Sequence, residues 1–195
     1  MSIIVANGTA EVESNLKNIL EDVSKQYLYS QGGSALKYFT NAVLAMRKDF
    51  SKWKIFFCDE RVVPEDSEDS TYGTVKRGLL MKNIFKDEQF IKIKPDLNAS
   101  EAAKEYIQQM EQYFKKGAVP EFDVLLLGMG PDGHICSLFP GHKLLDETSV
   151  WVAPIEDSPK PPPCRITLTL PVVNNARNCI FVATGEDKAD IAKVI

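Results

Sequence analysis

Only two of the 195 residues are histidines, and one of them, His134, closes the run Gly128-Met129-Gly130-Pro131-Asp132-Gly133-His134. An imidazole titrates near neutral pH and can take a proton from water, and a glycine-rich loop lets it approach a substrate closely. A second charged run, Asp59-Glu60-Arg61, follows the apolar Ile55-Phe56-Phe57-Cys58. A third, Thr184-Gly185-Glu186-Asp187-Lys188, follows the apolar stretch 180–183. Each run sits directly after residues with the character of a buried strand. In open α/β sheets ligands gather beyond the carboxyl ends of the strands, so the three runs point to one shared site.

Gly32-Gly33-Ser34 opens a helical pattern and is a candidate anion cradle. Missing Cβ atoms admit a close ligand, and the helix N-terminus offers unpaired N–H groups. Arg165 and Lys188 could supply the compensating charge. Lys188 falls in the first turn of the last helical pattern, where a cation opposes the helix dipole; an anionic ligand would relieve that mismatch.

Other chemistries fit less well. Gly128-x-Gly130-x-x-Gly133 matches the dinucleotide fingerprint in form, with Asp157 as a possible ribose acid. That fold needs a helix opening at the glycines, whereas Pro131 and Asp132 interrupt the loop and Pro140-Gly141 closes any helix over 135–139. A metal held by His134, His142, Asp132 and Cys136 matches no usual zinc spacing. No G-x-S-x-G elbow marks a nucleophilic serine.

The elements that must position these runs alternate in period. Helical spacing spans 12–23, 34–46, 70–80 and 100–116, the last with Ser100 as expected N-cap and Gly117 as stop. Strand character marks 54–58, 90–94, 122–127, 151–155, 166–170 and 180–183, and a last helix begins at Glu186. This pattern predicts an α/β fold, a single domain over 1–195 with a largely parallel sheet and helices on both faces. Net charge is −4 and the basic residues are scattered, which argues against nucleic acid as a partner. No apolar run reaches the roughly 20 residues that span a bilayer, and the first eight residues lack a basic signal-peptide region. Cys58, Cys136, Cys164 and Cys179 lie far apart, with no C-x-x-C pair, and suit reduced, mostly buried thiols. A cytoplasmic monomer is expected.

Four blocks carry a resemblance. They are Cys58-Asp59-Glu60-Arg61-Val62-Val63-Pro64 with Ser70-Thr71-Tyr72-Gly73, and Leu127 to His134 with Ser137-Leu138-Phe139-Pro140. The others are Ser158-Pro159-Lys160-Pro161-Pro162-Pro163 with Arg165-Ile166-Thr167-Leu168-Thr169, and Ala183-Thr184-Gly185 with Lys188. Together they resemble the 6-phosphogluconolactonase family, whose fold is similar to glucosamine-6-phosphate deaminase. The resemblance implies hydrolysis of 6-phospho-D-glucono-1,5-lactone in the pentose phosphate pathway, with no cofactor and no metal. It implies His134 as general base, with Asp59 and Arg61 at the reacting end. It implies Gly32, Gly33, Ser34, Arg165 and Lys188 around the 6-phosphate. Departures from the family pattern are Gln31 in place of a serine, Ile135 in place of a threonine, and an ending at Ile195 that implies missing C-terminal elements.

Overall fold

Parallel strands need long crossovers and antiparallel strands accept short ones, and the connection lengths of this chain sort its strands into two sheets. The computed structural model describes residues 2–23, 27–30, 34–94 and 96–192. Its elements are α1 (Thr9–Val23), β1 (Tyr27–Ser30), α2 (Ser34–Ala45), β2 (Lys54–Phe57), β3 (Asp59–Arg61), α3 (Thr71–Gly78) and α4 (Ala99–Met110). They continue with β4 (Val124–Gly128), β5 (Val152–Ile155), β6 (Arg165–Leu168), α5 (Leu170–Asn174), β7 (Cys179–Val182) and α6 (Ala189–Ala192).

Strands β2-β1-β4-β7 form an all-parallel sheet in that order. Every residue of β4 is buried, so both faces of this inner strand are covered. The core around it holds Phe39, Phe56, Phe57, Tyr106 and Phe122. Tyr106 also satisfies backbone at the end of β2, its hydroxyl accepting from Phe57 N–H at 2.6 Å and donating to Phe57 O at 3.3 Å.

One sheet was expected, and β5 and β6 leave it. They pair antiparallel with each other, and β6 pairs antiparallel with β3, giving a second sheet of order β3-β6-β5. The connection 156–164 is proline-rich and holds no helix, so it can only return the chain antiparallel. The chain changes sheet at Cys58, whose carbonyl accepts from Leu168 N–H at 2.6 Å. Asp59-Glu60-Arg61 is thereby a strand rather than only a strand end.

Smaller differences have local causes. Residues 90–94 make one bridge, Phe90 to Ile55, because Tyr106 takes the Phe57 N–H that the next rung of a ladder would use. The N-cap of α4 is Asn98, two residues before Ser100, and a capping box with Glu101 fixes it. That helix ends at Met110, since Gln112 and Tyr113 N–H turn to carbonyls three residues back. All four cysteines are free thiols; Cys58 and Cys136 are buried, Cys164 is half-buried and Cys179 is exposed.

Candidate functional site

Strand β4 delivers the loop that carries His134. Gly130 N–H donates to His134 O at 2.9 Å and Gly133 N–H donates to Gly130 O at 3.0 Å, closing a tight turn. Gly133 has φ +84°, a left-handed conformation that favours glycine. Gly130 is needed for a different reason. A Cβ there would lie 2.2 Å from His134 Cε1 and Nδ1, so the imidazole occupies the space a side chain would take. On its other contacts the ring centroid is 4.6 Å from that of Phe139.

His134 Nδ1 is 2.6 Å from Asp132 Oδ1, and Lys160 Nζ donates to the same oxygen at 3.0 Å. Burial pushes the Asp132 carboxyl up, but the hydrogen bonds from His134 and Lys160 outweigh it and hold it at about 2. An ionised carboxylate only accepts hydrogen bonds, so Nδ1 carries a proton toward Asp132, and in the neutral ring the lone pair is on Nε2. His142 has the opposite tautomer. Its Nδ1 accepts from Leu144 N–H at 3.2 Å, which leaves Nε2–H for Asp157 Oδ1 at 3.1 Å. The two histidines thus serve different partners.

Asp59 lies behind this loop, 1% exposed. Ser137 Oγ–H donates to Asp59 Oδ2 at 2.9 Å, and Ser137 N–H donates to Thr167 Oγ1 at 3.2 Å. Arg165 Nη1 donates to Ser137 Oγ at 3.3 Å and sits 3.9 Å from Asp59 Oδ2. The rest of the guanidinium grips the proline-rich loop. Nε donates to Pro162 O at 2.9 Å, and Nη2 donates to Lys160 O at 2.8 Å and Pro161 O at 3.0 Å. Arg165 is 2% exposed, with its donors committed to the fold.

Arg61 Nη1 donates to Asp69 O at 3.1 Å. Asp59 Oδ1 and Arg61 Nε are buried without a hydrogen-bond partner among the described residues. Between them in the chain, Glu60 turns the other way and accepts from the N–H groups of Arg61, Thr71 and Tyr72 at 2.8, 2.8 and 2.7 Å. It therefore fastens β3 to the N-terminus of α3. Burial pushes the Glu60 carboxyl up to about 7, against the downward pull of those three donors.

This gives a pH dependence. The folded carboxyl binds its proton more tightly than the unfolded one, whose value is 4.5. The stability that Glu60 contributes is therefore fully present below about pH 4.5 and is lost as pH rises toward 7, at up to about 1.4 kcal/mol per unit. Thermal unfolding between those pH values is expected to show a slope that Glu60→Gln flattens; an identical slope in the variant would locate it elsewhere.

The expected anion cradle is described in part. Gly32 and Gly33, with Gln31, lie outside the described residues, and Ser34 is the first residue of α2. Lys188 is half-buried in a 3-10 turn, Glu186–Lys188, that leads into α6. Tyr38 of α2 donates to Thr184 Oγ1 at 3.4 Å, joining that helix to the loop after β7. From α6, Ile191 Cγ2 would lie 3.4 Å from a Cβ on Gly133. The ends of β4 and β7 and the start of α2 thus adjoin, and Ser137 joins the β4 loop to Asp59. Ser137 and Lys160 are site residues that motif spacing does not single out. The signals for Lys160 are its place among prolines that fix the backbone and in one of the blocks that carry the resemblance.

The described geometry places the His134 imidazole, its Nδ1 directed at Asp132, beyond the carboxyl end of a parallel strand. Comparison with known proteins points to one family. A family described as glucosamine-6-phosphate isomerases/6-phosphogluconolactonase matches residues 2–195. The chain is 55% identical to 6-phosphogluconolactonase of Rattus norvegicus over 146 residues, 75% of this chain and 57% of the rat protein. It is 45% identical to a probable 6-phosphogluconolactonase of Schizosaccharomyces pombe over 175 residues, 84% of this chain and 68% of that one. The chain therefore spans little more than half the length of the mammalian relative. Among solved structures, 6-phosphogluconolactonase from Trypanosoma brucei superposes with TM-score 0.83 at 25% identity, over 98% of this chain and 85% of that one. The enzyme from Trypanosoma cruzi superposes with TM-score 0.86 at 24% identity, over 98% and 83%.

Proposed function

The chain belongs to the glucosamine-6-phosphate isomerase/6-phosphogluconolactonase family, and we propose that within it this chain hydrolyses 6-phospho-D-glucono-1,5-lactone to 6-phospho-D-gluconate. The observation that carries this reading is the Asp132–His134 pair at the end of β4, with Nδ1 held and Nε2 open. Nε2 takes a proton from water as the water oxygen adds to C1 of the lactone. Charge moves onto the carbonyl oxygen. Collapse breaks the bond from C1 to the ring oxygen, and the imidazolium returns its proton there.

In this reading Asp59 and Arg61 serve the reacting end, Asp59 from behind the His134 loop. The unpartnered Arg61 Nε–H suits the developing oxyanion, and the unpartnered Asp59 Oδ1 suits the attacking water or a sugar hydroxyl. The 6-phosphate is assigned to Gly32, Gly33 and Ser34, with Lys188 as the half-exposed cation. Arg165 contributes by holding the proline-rich loop that carries Lys160. One sugar-phosphate-hydrolase domain, acting as a monomer in the cytoplasm on a small anionic lactone, completes the reading. No helix among the described residues is long and apolar enough to cross a membrane.

The test within the family is a choice of substrates. Protein supplied with the lactone and, separately, with glucosamine 6-phosphate is expected to accelerate lactone loss and to release no ammonia. Ammonia release without lactone acceleration would overturn the assignment. Gly130→Ala tests the geometry. Its Cβ forces the imidazole aside, and kcat is expected to fall by roughly 100-fold with KM little changed. An unchanged kcat would show that the ring works from another position.

A further inference from the structure

We propose that Lys160 is a positioning residue: its ammonium shares Asp132 with His134 and thereby holds the imidazole in its neutral, proton-accepting state. The inference rests on His134 being the general base, and it adds a residue from a different part of the chain. Lys160 Nζ is 3.0 Å from Asp132 Oδ1 and 3.4 Å from His134 Nδ1. Asp132 alone, 2.6 Å from that nitrogen, would favour the imidazolium and leave less of the ring in its proton-accepting form. The ammonium cancels the carboxylate's charge while leaving its oxygen free to accept from Nδ1–H. The ring then faces a neutral ion pair.

Lys160 is presented to this pair by its backbone. Its carbonyl accepts from Arg165 Nη2 at 2.8 Å and Ser158 Oγ at 2.8 Å, and its N–H donates to Ser158 Oγ at 3.3 Å. Pro159 and Pro161 flank it with fixed φ. The charged groups near the ring come from three elements. Asp132 belongs to the same loop, Lys160 to the proline-rich loop, and Arg165 of β6 lies 5.8 Å from the centroid of the Phe139 ring that the imidazole touches. From α6 the contact to this loop is the apolar Ile191. Lys160 is thus the cation in direct contact with the dyad among the described residues.

The chain has two histidines, so ring-proton NMR resolves both, and His142, paired with Asp157, is an internal reference. In Lys160→Met the His134 titration midpoint is expected to rise by about one pH unit, as for a carboxylate left uncompensated beside it. The acid limb of the kcat profile should move with it. Lys160→Arg should restore the wild-type midpoint, and His142 should titrate unchanged in both variants. Lys160→Gln, which also lacks the charge, should behave like the methionine variant. A His134 midpoint that stays fixed in the methionine and glutamine variants overturns the proposal. The ring titration needs no substrate, so an absence of lactone hydrolysis would count against the enzymatic reading alone.

Discussion

Replacing His134 by alanine is expected to lower kcat for lactone hydrolysis by about 10²- to 10⁴-fold, the usual contribution of a positioned general base. KM should change little, because the imidazole acts on water and not on the sugar phosphate. The folded state should be barely affected. His134 sits at a loop with 14% of its side chain exposed, and its main polar partners, Asp132 and Lys160, can keep each other. The experiment separates two roles. A loss confined to kcat identifies a group that works in the transition state; a matching rise in KM would identify a group that merely binds. Since the lactone also hydrolyses spontaneously, the relevant quantity is the catalysed excess over the protein-free rate.

Arg165→Ala is expected to be the most destabilising single change in the site, by about 3–5 kcal/mol, the cost of stranding one partner of a buried ion pair. Asp59, 2% exposed as a side chain, would keep only Ser137 as a donor. The carbonyls of Lys160, Pro161 and Pro162 would lose the donors that fix the proline-rich loop. Arg165→Lys should recover part of the stability at most, because one ammonium cannot reproduce a planar fork spread over three carbonyls and a hydroxyl. Urea unfolding followed by circular dichroism measures this. A loss under about 1 kcal/mol would mean that water replaces the guanidinium and that the clamp is not structural. Activity in the variants should fall with the loop, because the loop brings Lys160 to Asp132.

Much of this arrangement is legible in residue order. The apolar runs before Asp59 and before Gly128 announce buried strands, whereas the one before Thr184 is an edge strand that leaves Phe181 47% exposed; the glycines and charges after them point to a shared site. His134 stands out because imidazole is rare in the chain and because glycines precede it within a short loop. Pairing is less legible. Whether 151–155 and 166–170 join the parallel sheet depends on the geometry of the connection between them, and apolar periodicity is alike in both sheet types. Arg165 shows a second limit. A cation at the start of a strand reads as a ligand for phosphate, while in the fold it is buried and committed to carbonyls that lie within five residues of it. Lys160 and Ser137 are hidden for a related reason. Their partners Asp132 and Asp59 are 28 and 78 residues away, a proximity that only the packed loops create.

Catalysis by this chain is tested most directly by one rate. Lactone generated in solution by oxidation of glucose 6-phosphate, and followed by phosphorus NMR, has a protein-free lifetime that serves as the reference. The purified chain is expected to shorten this lifetime in proportion to its concentration, and the His134→Ala chain at equal concentration to return it to the reference value. A lifetime unchanged by the wild-type chain, under conditions where it still binds 6-phosphogluconate, would contradict catalysis and leave a sugar-phosphate binder.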